Sequence, residues 1–188
     1  MSHHLPTEDF YDKIKPGLHR RIGRELRLAG HVLDLGCGSC TLVQYLTQTY
    51  HQKVTGVDIS SESFPKKRTG FDGKRFHCIS ADASHLRFVS NESIDAVVIM
   101  WALHEMTRPQ AILKEAHRVL RIGGEVLIVD FPRDSLAQEK WHEKYFSPDE
   151  IEDKLVKSGF RDIRVKLIEL KQIIWARGFR PIKEKGSV

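Results

Sequence analysis

No apolar run in this 188-residue chain approaches the ~18 to 20 residues that a helix needs to cross a bilayer, so no membrane-spanning role is expected. The start, Met1-Ser-His-His4, lacks the basic and apolar regions of a secretion signal. Cysteine is scarce: three residues, an odd number in a chain of this size, do not make a disulfide framework and suit a reducing compartment. A cytoplasmic protein is therefore expected. Repeats, low-complexity stretches, zinc-knuckle spacings and an aromatic stacking signature are also lacking, so the net charge of +5 stands without a nucleic-acid motif beside it. Basic clusters do occur, at Arg20, Arg21, Arg24 and Arg27, at Lys66-Lys-Arg68, and at Arg177, Arg180, Lys183 and Lys185. They read first as a solvated positive surface.

What is present suits one globular domain with a full core, at 40% hydrophobic and 29% charged residues. A first helix is expected over about Pro16 to Leu28, then a strand at 31–36, a helix at 40–50, a strand at 53–58 and a short helix near 61–68. Strands at about 75–80, 94–100 and 123–130 follow, with a helix at 108–121 before the last. Strands that alternate with helices predict a doubly wound parallel sheet, with ligands at the carboxyl ends of its strands near the switch in strand order. Asp34, Asp58, Asp82 and Met100 meet there. Ser147-Pro-Asp-Glu150 reads as a capped helix start, and the helix ends at Ser158-Gly159. Arg161 to Glu169 and Lys171 to Gly178 should then pair as a hairpin. Only the ends, about 1–8 and 180–188, are expected to lack fixed structure.

The stretch His31-Val-Leu-Asp-Leu-Gly-Cys-Gly-Ser-Cys40 carries the functional signal. An apolar strand breaks into alternating glycines and then into a helical pattern at Thr41, Leu42, Tyr45 and Leu46, the outline of a nucleotide-type cofactor loop. Asp34, at the strand end, can brace the loop or meet a cationic ligand group. Asp58 closes Lys53-Val-Thr-Gly-Val-Asp58 at 58 minus 36, or 22, positions past the first glycine, the spacing at which an acid accepts hydrogen bonds from ribose hydroxyls.

Val32-Leu-Asp-Leu-Gly-Cys-Gly38, Gly56-Val-Asp58, Ala81-Asp-Ala83, Ile94-Asp-Ala-Val-Val-Ile-Met-Trp-Ala-Leu-His104 and Leu120-Arg-Ile-Gly-Gly-Glu-Val-Leu-Ile-Val-Asp130 together resemble the class I methyltransferases that use S-adenosylmethionine, in particular their small-molecule, ubiquinone-biosynthesis-like branch. The resemblance runs over roughly residues 10–178. Cys40 departs from it, since many members carry glycine there. It implies a seven-stranded Rossmann-like α/β fold, mostly parallel with a C-terminal antiparallel hairpin, in one methyltransferase domain over 1–188: an N-terminal lid and helix to 28, a core over 29–180 and a tail. S-adenosylmethionine is the implied cofactor and S-adenosylhomocysteine the product.

By the same resemblance Gly36, Cys37 and Gly38 pass under the methionine part, Asp58 holds the ribose, Asp82 faces the adenine amino group, and Ile59 and Ala83 flank the ring. His19 helps hold the methionine carboxylate. Tyr11 lies in a segment that related enzymes fold over the cofactor as a lid, which makes it a methyl-site candidate beside a purely packing role. The loop Met100-Trp-Ala-Leu-His-Glu105 follows the fourth strand, so its side chains face the transferred group: Trp101 as pocket wall or core, His104 as base or substrate binder, Glu105 as a helix-start acid. No metal is required. Cys37 and Cys40 form a Cys-x-x-Cys, but zinc needs two further ligands and thiol redox motifs sit in another setting, so neither chemistry is expected.

The segment Phe131 to Phe146 is short and carries Trp141, His142, Tyr145 and Phe146, which suits a small, partly apolar acceptor. The Asn/Asp-Pro-Pro-aromatic motif of amino-group methyltransferases is missing after the fourth strand, which favours an oxygen, sulfur or carbon acceptor. A small-molecule methyltransferase acting as a monomer or homodimer leads. An RNA methyltransferase using the basic surface, and a non-catalytic S-adenosylmethionine-binding partner subunit, remain as alternatives.

Overall fold

Valine, isoleucine and leucine runs that have no polar face can be buried only between two layers, and that is where the centre of this sheet lies. The computed structural model describes residues 9–66 and 76–182. Its strands are β1 (His31–Leu35), β2 (Lys53–Asp58), β3 (His77–Ser80), β4 (Ile94–Met100), β5 (Leu120–Asp130), β6 (Arg161–Ile168) and β7 (Ile173–Phe179). They form one seven-stranded sheet in the order β3-β2-β1-β4-β5-β7-β6. β1 to β5 run parallel, and β7 lies antiparallel to both β5 and β6.

Residue parity sends each strand's side chains to two faces. Val32, Ala96, Val98, Leu127 and Val129 pack with α1 (Phe10–Glu25) and α2 (Thr41–Tyr50). Leu33, Leu35, Val97, Ile99 and Ile128 pack with α3 (Pro109–Val119) and α5 (Pro148–Lys157). The chain turns from β1 outward to β3 and then returns to β4 beside β1, which opens a crevice above their carboxyl ends. α5 carries the capping box read from its sequence: Ser147 Oγ accepts from Glu150 N, and the Glu150 carboxylate accepts from Ser147 N.

Several elements differ from expectation. α1 begins at Phe10 rather than Pro16, and Pro16 lies inside it. The Tyr11 hydroxyl is held by two bonds, to Ala137 N and Gln172 Oε1, which tie the extra turn and a half to the rest of the fold despite the amide hydrogen that proline cannot donate. A short helix, α4 (Leu136–Trp141), occupies the segment after β5. Residues 61–66 form a turn in place of the first part of the expected short helix, with Phe64 N donating to Ser61 O; residues 67 and 68 lie outside the described residues. The hairpin connection is four residues long, 169–172, and Glu169, Leu170 and Lys171 all have positive φ. Arg180 is docked: Nη1 donates to the carbonyls of His117, Arg118 and Leu120, capping the C-terminal end of α3, and Nη2 meets Glu92. The expectation for 1–8 and 183–188, with Lys183 and Lys185, lies outside the described residues. Arg177 pairs with Glu25 and Glu125, so part of the basic cluster at the end of the chain is spent inside the fold. Among the described residues no helix is long and apolar enough to cross a membrane.

Candidate active site

The loop after β1 is fixed from two sides. Gly36 N and Cys37 N both donate to Val57 O, and Asp58 Oδ2 accepts from Gly38 N at 2.8 Å. Asp58 therefore braces the glycine loop with one oxygen, while Oδ1 accepts from Ser60 N. The two glycines serve different ends. Gly36 has φ +76, and a Cβ there would lie 2.4 Å from Ala102 Cβ; at Gly38, φ +48, a Cβ would meet nothing within 4 Å and would project into open space.

Cys40 has a left-handed conformation, φ 58, of the kind that glycine adopts at least cost. It is fully buried and joined to Cys78 on β3, 38 residues away, while Cys37 is the free thiol 3.7 Å from Cys40 Sγ. The one disulfide has no signal in the sequence, because sheet order, not sequence proximity, brings β3 alongside β2. Burial and the charges of Asp34 and Asp58 push the Cys37 thiol well up, which leaves it un-ionised and inert.

Two adjoining cavities share Gly36, Gly38 and Trp101. The larger, about 380 Å³, is lined further by Val57, Asp58, Ile59, Ala81, Asp82, Ala83, Glu105 and Met106. The smaller, about 230 Å³, is lined further by Lys15, His19, Asp34, Cys37 and Met100. Every residue expected to hold a cofactor lines one or the other. Ile59 is 75% exposed at the cavity, an apolar side chain that a flat ring would cover. Asp82 accepts from Ser84 N through Oδ1 and from Arg108 through Oδ2, and its hydrogen bonds to Ser84 together with Arg108 hold its carboxyl below the ordinary range.

In the smaller cavity the ionisable groups are out of their ordinary states. Burial, then the charge of Asp58, pushes Asp34 up to about 7. Burial, then Lys15, pulls His19 down to about 4, so at neutral pH its imidazole is uncharged and can offer a single N–H. The cation of this cavity is Lys15, whose Nζ also sits 5.4 Å from the Trp101 ring. Lys15 lies one residue before the expected start of the first helix and inside α1 as observed; its signal in the sequence is the i, i+4 spacing to His19.

Tyr11 and His104 line neither cavity. They belong to an adjoining aromatic cluster in which Trp101 stacks on Phe131, with ring centroids 5.1 Å apart, and Tyr11 packs on Trp101, Phe131 and Trp141. Trp101 has φ +55, which costs a non-glycine residue roughly 1 to 2 kcal/mol, and its buried Nε1 has no hydrogen-bond partner. Tyr11 Oη accepts from Ala137 N at 2.9 Å and donates to Gln172 Oε1 at 3.2 Å. Tyr11→Phe keeps the ring packing and strands the first-turn amide of α4, so it is expected to destabilise the protein by about 1 to 2 kcal/mol in urea unfolding. An unchanged midpoint would show the bond to be worthless.

His104, in a 3-10 turn (Leu103–Glu105), is held by Asp130 at the end of β5: Nδ1 lies 2.7 Å from Asp130 Oδ1, and its backbone N donates to Oδ2. Its side chain is 4% exposed. Burial pulls the imidazole's pKa down, but the Asp130 hydrogen bond and the charges of Asp130, Glu105 and Glu143 outweigh this and raise it. Nε2 lies 3.3 Å from Glu143 Oε2 and 3.8 Å from Glu105 Oε1.

Known proteins resemble this chain in sequence and in fold. A family model described as a methyltransferase domain matches residues 33–128. The chain is 25% identical over 176 residues to an O-methyltransferase of Pyrenophora dematioidea, covering 84% of the chain and 66% of that protein. It is 28% identical over 115 residues to the ubiquinone/menaquinone biosynthesis C-methyltransferase UbiE of Ruegeria sp. (strain TM1040), covering 57% of the chain and 46% of that protein. The chain thus spans about half to two thirds of the length of these curated relatives. A SAM-dependent methyltransferase from Archaeoglobus fulgidus superposes with a TM-score of 0.69 at 17% identity, over 92% of this chain and 100% of that one, a likeness of fold.

Proposed function

The chain belongs to the methyltransferase-domain family, the class I enzymes that use S-adenosylmethionine, and from that premise we propose that it transfers a methyl group from S-adenosylmethionine to an oxygen, sulfur or carbon atom of a small-molecule acceptor. The observation that carries this reading is the pair of adjoining cavities over the glycine loop, with Asp34, Asp58 and Asp82 at or beside the ends of neighbouring parallel strands. When bound, the cofactor supplies an activated methyl group on a sulfonium, so the protein needs chiefly to position the two partners.

Each lining residue has work that suits its chemistry. Asp58 accepts from the ribose hydroxyls with the lone pairs that Gly38 N and Ser60 N leave free. Ile59 and Ala83 flank the adenine and Asp82 meets its amino edge. Gly36, Cys37 and Gly38 form the floor under the methionine part. Asp34 receives the amino group, whose positive charge relieves its buried carboxylate. Lys15 and neutral His19 hold the carboxylate end, while Met100 and Trp101 wall the path of the methyl group. On the acceptor side, Asp130 fixes the ring of His104, which binds the acceptor, and Tyr11 is a positioning residue that keeps α1 closed over the cavity.

The test is a calorimetric titration with S-adenosylhomocysteine and, separately, NAD, followed by incubation of a metabolite extract with methyl-labelled S-adenosylmethionine. Micromolar binding of S-adenosylhomocysteine and label in an extracted small molecule are expected. Binding of NAD alone would overturn the cofactor assignment, and tight cofactor binding without any transfer would leave a binding subunit in place of an enzyme.

A further inference from the structure

We infer that His104, Glu105 and Glu143 form a site for one divalent transition-metal ion of the Mn2+ or Zn2+ kind, at the edge of the larger cavity. One ligand atom from each of the three lies within 4.8 Å of the others. Nε2 of His104 is 3.3 Å from Glu143 Oε2 and 3.8 Å from Glu105 Oε1. Ligand atoms bonded to one ion at ~2.1 Å stand ~3 to 4 Å apart, so small side-chain movements bring all three to bonding distance.

The surroundings of His104 are those of a metal ligand. Asp130 takes the hydrogen bond from Nδ1, which fixes the tautomer and aims the Nε2 lone pair at the two glutamates. A lone pair that faces two carboxylates repels them unless a cation stands between. Tyr145 Oη donates to Glu143 Oε2 at 2.9 Å, restraining the second ligand as Asp130 restrains the first. His104 is almost fully buried, whereas Glu105 and Glu143 are 67% and 46% exposed, so the ion has protein on one side and room for further ligands on the other. One imidazole with two carboxylates selects a borderline ion over calcium or magnesium, which prefer all-oxygen sets.

Glu105 also lines the larger cavity, so an ion held by it borders the place where the methyl group is transferred. For the use of the site, the inference rests on the proposed methyl transfer: a hydroxyl or other oxygen of the acceptor completes the coordination sphere and is held there. Ion binding itself stands on geometry alone.

Mn2+ titrated into the full chain and followed by loss of the free-ion signal in electron paramagnetic resonance should show one site per chain, emptied by added Zn2+. Glu143→Gln and His104→Ala should each weaken Mn2+ at least about tenfold. Glu143 is half exposed, and S-adenosylhomocysteine binding by calorimetry, measured on both variants, reports that they remain folded. A free-ion signal untouched by wild-type protein, or equal Mn2+ uptake by wild type and both variants, overturns the metal site. Failure of S-adenosylhomocysteine to bind wild-type protein would instead overturn the proposed function, and Mn2+ uptake is read independently of it.

Discussion

Asp58→Ala is expected to lower the affinity for S-adenosylhomocysteine by about 100-fold or more. Hydrogen bonds to a charged group contribute about 1.5 to 3 kcal/mol each, and each ~1.4 kcal/mol is tenfold in affinity, so loss of the ribose contacts alone reaches that figure. The second consequence adds to the first. Asp58 Oδ2 also accepts from Gly38 N, so the alanine variant releases the floor of the site as well as the ribose. Asp58→Asn separates the two effects: its amide oxygen can still accept from Gly38 N, which should recover part of the loss. Calorimetry on both variants checks this, and an alanine variant within tenfold of wild type would show that Asp58 braces the loop without holding the ligand.

The second large effect is a pH dependence of stability centred on Asp34. Its folded pKa is raised to about 7 from the ordinary 3.8, first by burial and then by Asp58, so the folded chain keeps a proton that the unfolded chain loses. Stability from this group is therefore greatest below pH ~4, falls as pH rises towards ~7, and levels off above, a change of ~4 kcal/mol in all. Asp34→Asn removes it. The advantage of the variant over wild type should grow by ~2 to 3 kcal/mol between pH 5 and pH 8 in urea unfolding. Other titrating groups cancel in that difference, and a constant advantage across the range would sink the account. The ammonium group of a bound ligand paired with Asp34 reverses the balance, so the affinity of wild type for S-adenosylmethionine should rise with pH through neutrality and that of Asp34→Asn should not.

Local patterns were legible in the sequence and long-range neighbours were not. The β1 loop and α2 follow from an apolar run, two glycines and a helical period. The start of α5 follows from Ser147 and Glu150, one turn apart. Every residue expected to hold a cofactor lines one of the two cavities, most of them because strand ends in a parallel sheet converge wherever the strands fall in sequence. By contrast, the start of α1 was obscured by Pro16, which suits a first helical turn and sits here in the seventh position. α4 spans six residues, too few for a period to show. The partnership of His104 with Asp130 depends on the register of β4 against β5, where Met100 pairs with Val129. The disulfide from Cys40 to Cys78 depends on where β3 comes to lie. Neither has a local signature.

The bonds of Tyr11 carry a consequence for the order of assembly. Its hydroxyl joins residues 11, 137 and 172, so the helix that supplies Lys15 and His19 is fastened by a turn near the far end of the chain. During synthesis on the ribosome this helix emerges before Gln172 and is latched only after Gln172 has left the exit tunnel. A nascent chain that stops short of that turn also lacks β7 and with it the partner of β6, so it can hold the parallel strands β1 to β5 and the glycine loop but not the latch on the helix that carries Lys15 and His19.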